Sequence, residues 1–218
     1  MSGTTCQPFA FLRLTHEAFR ASMTGLGEAL SSASATVEEF EQRLIPLLQA
    51  CQLHLEQEER VFYVRVGEKD PGLCSPFSLE HVADINEREQ LKTSLTKAKT
   101  EGDGEHLEAF KTLLKAWLDN CLKHLTHEEQ VMQPFLQSQY KFEEACSVVN
   151  EIVHLDLEQT KQMQVPFVVQ LLNPQQRVGY LSALKGSVGD EVYADISSHL
   201  GACLSSEAKS FLQEKGLL

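Results

Sequence analysis

Residues 48–61 read LQACQLHLEQEERV, and residues 118–131 read LDNCLKHLTHEEQV. Both carry the pattern Cys-x-x-His-Leu-x-x-Glu-Glu-x-Val, at an offset of 70 residues. Apolar side chains lead into each copy at alternating three- and four-residue steps. The first run is Val37, Phe40, Leu44, Leu47, Cys51, and the second is Leu107, Phe110, Leu114, Trp117, Cys121. That rhythm is the buried stripe of an amphipathic helix. It continues through His54 and Glu58 in one helix and through His124 and Glu128 in the other, so these four side chains point toward the axis of a bundle. A carboxylate buried without a partner costs several kcal/mol or more, so it neutralises, pairs or binds a metal. No lysine or arginine stands on the inner stripe of the first, second or fourth helix to pair with it. In His-x-x-x-Glu the two side chains share one helix face, one turn apart, and can ligate one metal or bridge two.

Working outward, strand signals are nearly absent and long periodic segments dominate, which predicts an all-α fold. The first helix is expected over roughly residues 8–30, followed by a break at Ser31–Ala35 and a capping box at Thr36 and Glu39. The second helix then runs to about Val66, with Pro46 expected to kink it or to mark a local defect. A turn over 67–76, a third helix over roughly 77–100, a turn at 101–104 and a fourth helix over roughly 105–137 complete an up-down-up-down four-helix bundle. A fifth helix is expected over roughly 142–162. Residues 163–218 form a helical C-terminal extension, in which Asn173-Pro174 reads as an N-cap and first helical position. Further short helices follow near 190–204 and 206–215. The sequence leaves open whether this extension shares the core of residues 1–162.

The 218-residue chain is 42% hydrophobic, enough for a core, and carries a net charge of -12. That acidity argues against nucleic acid or an anionic membrane as the main partner. No stretch is long and apolar enough to span a bilayer, and MSGTTCQPFA lacks the basic flank and apolar run of a signal peptide. The six cysteines (Cys6, Cys51, Cys74, Cys121, Cys146, Cys203) form no CxxC pair and read as reduced cytosolic thiols. A cytoplasmic protein is expected, with a nuclear location also open.

The first helix has its own stripe: Phe9, Leu12, Phe19, Met23, Leu26 and Leu30, with His16 filling the one gap. Glu58 and Glu128 lie about eight residues before their helix ends, and His16 about eight after its start. Antiparallel packing therefore brings all three to roughly 12 Å from the same end of the bundle. His81, about five residues into the third helix, joins that layer. Four histidines and two carboxylates in one slice suffice for two metal ions. Imidazole and carboxylate without thiolate suit iron, manganese or zinc, and bridging carboxylates in a four-helix bundle favour di-iron or di-manganese. Glu59 and Glu129 fall one step off the stripe, and His127 sits at its edge; supporting or surface roles are expected for all three. His106, His154 and His199 read as ordinary surface or hydrogen-bonded histidines, and Cys51 and Cys121 as small core residues.

These residues resemble the hemerythrin-like (HHE cation-binding) family over about residues 8–160. The elements are LTHEAF, HLEQEERVF, LEHV and HLTHEEQVMQPFL. The arrangement is most similar to the iron-sensing hemerythrin domain of the F-box/leucine-rich-repeat ubiquitin ligase subunit. The tail VPFVVQLLNPQQRVGYL more loosely resembles the region after hemerythrin domains in plant BRUTUS-type iron regulators. The resemblance implies His16, His54, His81 and His124 as terminal ligands and Glu58 and Glu128 as bridges between two irons. Oxygen-carrying hemerythrins have a second histidine one turn further along the third helix, where this chain has Ile85; Asp84 and Glu87 stand nearby as substitute donors. That departure favours iron sensing, storage or redox chemistry over reversible oxygen carriage. The expectation is a non-haem di-iron protein of iron and oxygen sensing or iron handling. Its small ligand would be dioxygen or another small oxidant, and a protein partner would be met through the C-terminal helices. The alternative is a di-iron oxidase, peroxidase or nitric oxide-reacting enzyme. No dedicated general acid or nucleophile stands out, but Tyr63 and the nearby glutamates leave room for one. A metal-free structural bundle is the third possibility.

Overall fold

The computed structural model describes residues 7–102 and 104–218. Met1–Cys6 and Asp103 lie outside the described residues. So do the readings that fall on them: Cys6 as a reduced thiol, the opening residues as free of a signal peptide, and Asp103 as part of a turn. Every regular element among the described residues is helical, and the fold is all-α.

The bundle consists of α1 (Ala10–Ser31), α2 (Val37–Gln57), α4 (Ser75–Glu101) and α5 (Gly104–Gln139). The second helix continues past α2 through a π turn, π1 (Glu58–Phe62), into α3 (Tyr63–Gly67). Its start is fixed by the expected capping box: the Glu39 amide donates to Thr36 Oγ1 at 3.3 Å, and the Thr36 amide donates to Glu39 Oε2 at 3.2 Å. The α-helix continues through Pro46, whose missing N–H leaves one rung of the hydrogen-bond ladder unmade; a larger irregularity of this helix falls at the π turn. Gly102, at a φ of 65°, ends α4 in the left-handed conformation that glycine adopts without steric cost.

The fifth helix is shorter than the sequence predicts. α6 (Phe142–Leu155) ends at Asp156, whose φ of -148° and ψ of 82° are not helical. Its carboxylate then accepts from the Gln159 amide and restarts the chain as α7 (Leu157–Gln159), a second π turn, π2 (Thr160–Gln164), and α8 (Val165–Leu171). Asn173 caps α9 (Pro174–Ser187) as expected, with its Oδ1 accepting from the Gln176 amide at 3.0 Å. α10 (Asp190–Cys203) and α11 (Ser206–Glu214) follow.

The extension does not stand apart from the bundle. α8 and α9 pack on α1, and the Tyr180 ring stacks on Phe11 with centroids 5.0 Å apart. Two apolar clusters result. One joins Phe11, Leu14, Phe62, Val66 and Met132 to Val149, Val168, Leu184, Ile196 and Leu212. The other, toward the opposite end of the bundle, holds Phe19, Leu26, Phe40, Leu47, Phe110, Leu114 and Trp117. The candidate ligands occupy the polar layer between them.

Candidate metal centre

The π turn decides how the second helix meets this layer. One extra residue per turn shifts the inward face by one position. After Glu58 the buried residues are Phe62, Tyr63 and Val66, whereas Val61, which the regular stripe puts inside, is only half-buried. The shift turns Tyr63 inward, and its hydroxyl donates to Glu128 Oε1 at 2.9 Å. The Tyr63 ring lies parallel to that of His81, at 8° with centroids 5.5 Å apart.

His16, His54, Glu58, His81 and Glu128 are 1–5% exposed, and His124 is half-buried. Two donor sets form: His16, His54, Glu58 and Glu128 make one, and Glu58, His81 and His124 make the other. Within each set one ligand atom per residue lies within 4.8 Å of all the others. Ligands bound at about 2.0–2.2 Å lie at most about 4.4 Å apart, so each set would fit around one ion after a small closing movement. Glu58 belongs to both sets through different oxygens: Oε1 is 2.9 Å from His54 Nε2, and Oε2 is 3.4 Å from His81 Nε2. Glu128 is less symmetric. Its Oε2 is 3.4 Å from His16 Nε2, while Tyr63 occupies its Oε1, and it belongs to the first set only.

The ring nitrogens converge. His16 Nε2 and His54 Nε2 are 2.9 Å apart, and His81 Nε2 and His124 Nε2 are 3.2 Å apart. Behind three of the rings stands a carboxylate. Glu129 Oε1 is 3.0 Å from His16 Nδ1, Glu59 Oε1 is 2.7 Å from His81 Nδ1, and Glu80 Oε2 is 2.7 Å from His124 Nδ1. A proton held at Nδ1 by a carboxylate leaves the Nε2 lone pair facing inward, the arrangement that orients metal-binding histidines. The second glutamate of each Glu-Glu pair therefore serves the histidine of another helix. Arg20 in turn holds Glu129 at 2.7 and 3.0 Å. Hydrogen bonds to His16 and Arg20 outweigh burial and bring the Glu129 carboxyl down to about 2.

The ion-free site must share out protons. Burial, and then the charge of Glu58, push the Glu128 carboxyl up to about 8. Burial also disfavours charge on Glu58, but His54, His16 and His81 outweigh it and hold that carboxyl well below the usual carboxylate range. Burial opposes charge on His16 too, yet Glu129, Glu58 and Glu128 raise it to about 10; His81 is likewise raised to about 9 by Glu58 and Glu59. Burial lowers His54, against the opposing pull of Glu58. Glu58 Oε2, Glu128 Oε2 and His54 Nδ1 are buried without a hydrogen-bond partner. Orphaned polar atoms of this kind are costly. Two inward carboxylate oxygens beside four convergent imidazoles are the donor set a cation satisfies.

Asp84 and Glu87 do not replace the histidine that Ile85 displaces. Asp84 accepts from Trp117 Nε1 at 2.7 Å and pairs with the buried Arg88 at 2.9 Å, while Glu87 accepts from Asn120. Ile85 itself is 40% exposed and points away from the layer. Glu80, which the sequence reading passed over, holds both His124 and His127 through its two oxygens. Its position one residue before His81, off the stripe, gave only a weak signal. Cys51 and Cys121 are half-buried around a cavity of about 420 Å3 beside His54 and His124, and burial pushes both thiols up.

Fold and site together define a helical bundle whose buried histidines and glutamates could hold a metal ion. A family model described as the hemerythrin HHE cation binding domain matches residues 7–136, and the chain belongs to that family. No curated protein and no solved structure matches the chain. The match ends within α5, before α6 and the extension begin.

Proposed function

We propose that the chain holds two iron ions at His16, His54, Glu58, His81, His124 and Glu128 and acts in iron and oxygen sensing or iron handling. The observation that carries this reading is Glu58, whose two oxygens face two different histidine sets. Iron, when bound, would supply one-electron redox chemistry and an affinity for dioxygen. Glu59, Glu80 and Glu129 would hold three of the four imidazoles with Nε2 turned inward. Manganese or zinc would satisfy the same donors.

The sensing part of the reading rests on the neighbour of Glu58. Gln57 is fully buried and donates to Gln164 Oε1 at 2.9 Å and to Thr160 Oγ1 at 3.3 Å, while Gln164 donates back at 2.7 Å. A shift of Glu58 on binding or losing an ion therefore strains a pair reaching into π2 and α8. Metal binds the folded chain in preference to the unfolded one, so occupancy adds folding free energy. Through this pair it would also stabilise the extension, the surface on which a protein partner would read the state of the centre. The five described cysteines are free thiols, which suits a reducing compartment such as the cytoplasm.

A di-iron oxidase, peroxidase or nitric oxide-reacting enzyme is the second reading, favoured by the Tyr63 hydroxyl on Glu128. Repeated turnover of a substrate would separate it from a sensor. The deciding experiment loads the protein with ferrous iron without oxygen and then admits air, following iron content and visible absorption. Close to two irons per chain and new absorption are expected. Replacing Glu58 and Glu128 together with alanine should abolish both signals, whereas His199→Ala should leave them intact. Unchanged iron content in the double variant would remove the proposal.

A further inference from the structure

A cavity of about 330 Å3 descends from the surface to His16, Glu58 and Glu128, between α1, π1, α5 and α6. Leu12, Phe62, Met132, Leu136 and Ala145 wall it, all of them buried apolar residues. A water molecule takes about 30 Å3 in the liquid, so a diatomic oxidant would fill only a small part of this space. The volume falls instead at the lower end of organic ligand pockets, roughly 300–1,000 Å3.

Its inner end holds His16, Glu58 and Glu128. Glu129 also borders it, but is already held by Arg20 and His16. The surface end carries two exposed cations, Arg13 and Lys141, beside Phe142, which is 50% exposed. Arg13 makes no ion pair among the described residues. An anionic head would be drawn to the two cations at the mouth, where water also solvates it, while the buried walls favour hydrocarbon.

We propose that this cavity binds a medium-chain alkyl carboxylate, with its head at Arg13 and Lys141 and its chain running inward toward His16 and the two glutamates. The walls belong to the protein itself, so binding does not require the metal.

The test titrates the full chain, metal-free and iron-loaded, with hexanoate, octanoate and decanoate by calorimetry. Each added methylene should tighten binding roughly fourfold. Arg13→Glu should weaken all three acids by a similar factor and preserve the dependence on chain length. Ala145→Phe, which fills the cavity from α6, should abolish that dependence. Decylamine, with the opposite head charge, should bind about tenfold or more weakly than decanoate, in line with the rim charges. Absence of decanoate binding, equal binding of acid and amine, or unchanged affinity in Ala145→Phe would each overturn the proposal. If Ala145→Phe does not fold, by its helical circular dichroism, Gln133→Trp at the half-buried wall puts the same question. Iron content is measured in parallel: an unmodified chain that takes up iron but binds no decanoate counts against this cavity alone, and one that binds decanoate but takes up no iron counts against the metal assignment alone.

Discussion

Gln57 and Gln164 exchange two amide hydrogen bonds, at 2.9 and 2.7 Å, where neither residue is exposed to solvent. Each amide satisfies the other across 107 residues of chain, and each belongs to a helix at the edge of a π turn. The pair ties the helix that carries Glu58 to the segment that opens the extension.

Gln57→Leu should therefore destabilise the chain by about 1–3 kcal/mol, since it leaves the Gln164 amide buried without a partner. The double variant Gln57→Leu/Gln164→Leu should recover much of that loss, because a matched apolar pair leaves fewer orphaned groups. Denaturant melts of the two single variants and the double variant give the coupling. Additive losses would mean that the two amides act independently.

Glu129 and Glu59 should matter to metal affinity without being ligands. Removing the carboxylate behind a binding imidazole typically weakens metal affinity about 10–100-fold. Glu129→Gln and Glu59→Gln should fall in that range, with the full metal content restored at higher ion concentration. Competition titration against a chelator measures this. A lowered stoichiometry at saturation would instead mark either glutamate as a direct ligand.

The two ions should bind in two steps. The first donor set has four members, and the second has only Glu58, His81 and His124. Tyr63 keeps Glu128 Oε1 from the second set. In Tyr63→Phe that oxygen is free to turn toward the second ion, so the weaker step should tighten and the two steps converge. Calorimetric titration with manganese(II) in the two proteins checks this, and an unchanged separation would contradict it.

Acidity should act in opposite directions on the metal-free and the loaded protein. In the metal-free fold His16 and His81 are raised to about 10 and about 9 from 6.5. Their contribution to stability is complete below about pH 6.5 and is lost as pH rises through those values. Glu128 is raised to about 8 from 4.5; the unfolded chain ionises it first, so stability falls between those two values as well. The metal-free Tm should thus drop from about pH 6 to about pH 8. An incoming ion must displace these protons, so its affinity rises over the same interval. The gap in Tm between loaded and metal-free protein should widen with pH; a constant gap would mean that binding displaces no proton.

The helices of the bundle were legible because the three-four rhythm of a buried stripe reports backbone geometry directly, as with Phe40, Leu44 and Leu47. His16 was legible as the gap in such a stripe, and the Thr36 and Asn173 caps as local hydrogen-bonding chemistry. The π turn at Glu58 was not, because its extra residue is stabilised by what Phe62 and Tyr63 meet in other helices. The end of α6 at Asp156 was missed because the periodicity runs on past it. Asp84 and Glu87 looked like spare donors near Ile85, but the inner side of α4 there is taken by the Asp84–Arg88 pair and Trp117.

Taken alone, the sequence determined an all-α bundle and the acids and imidazoles along its seam, because helical periodicity and the cost of burying charge are properties of the chain itself. Only the tertiary structure decided the rest. It set Glu59, Glu80 and Glu129 behind the rings of other helices, gave one oxygen of Glu128 to Tyr63, and locked the extension to Gln57. Those outcomes depend on distances between residues far apart in the chain, fixed when separate helices pack and each buried polar atom finds whichever partner the packing brings.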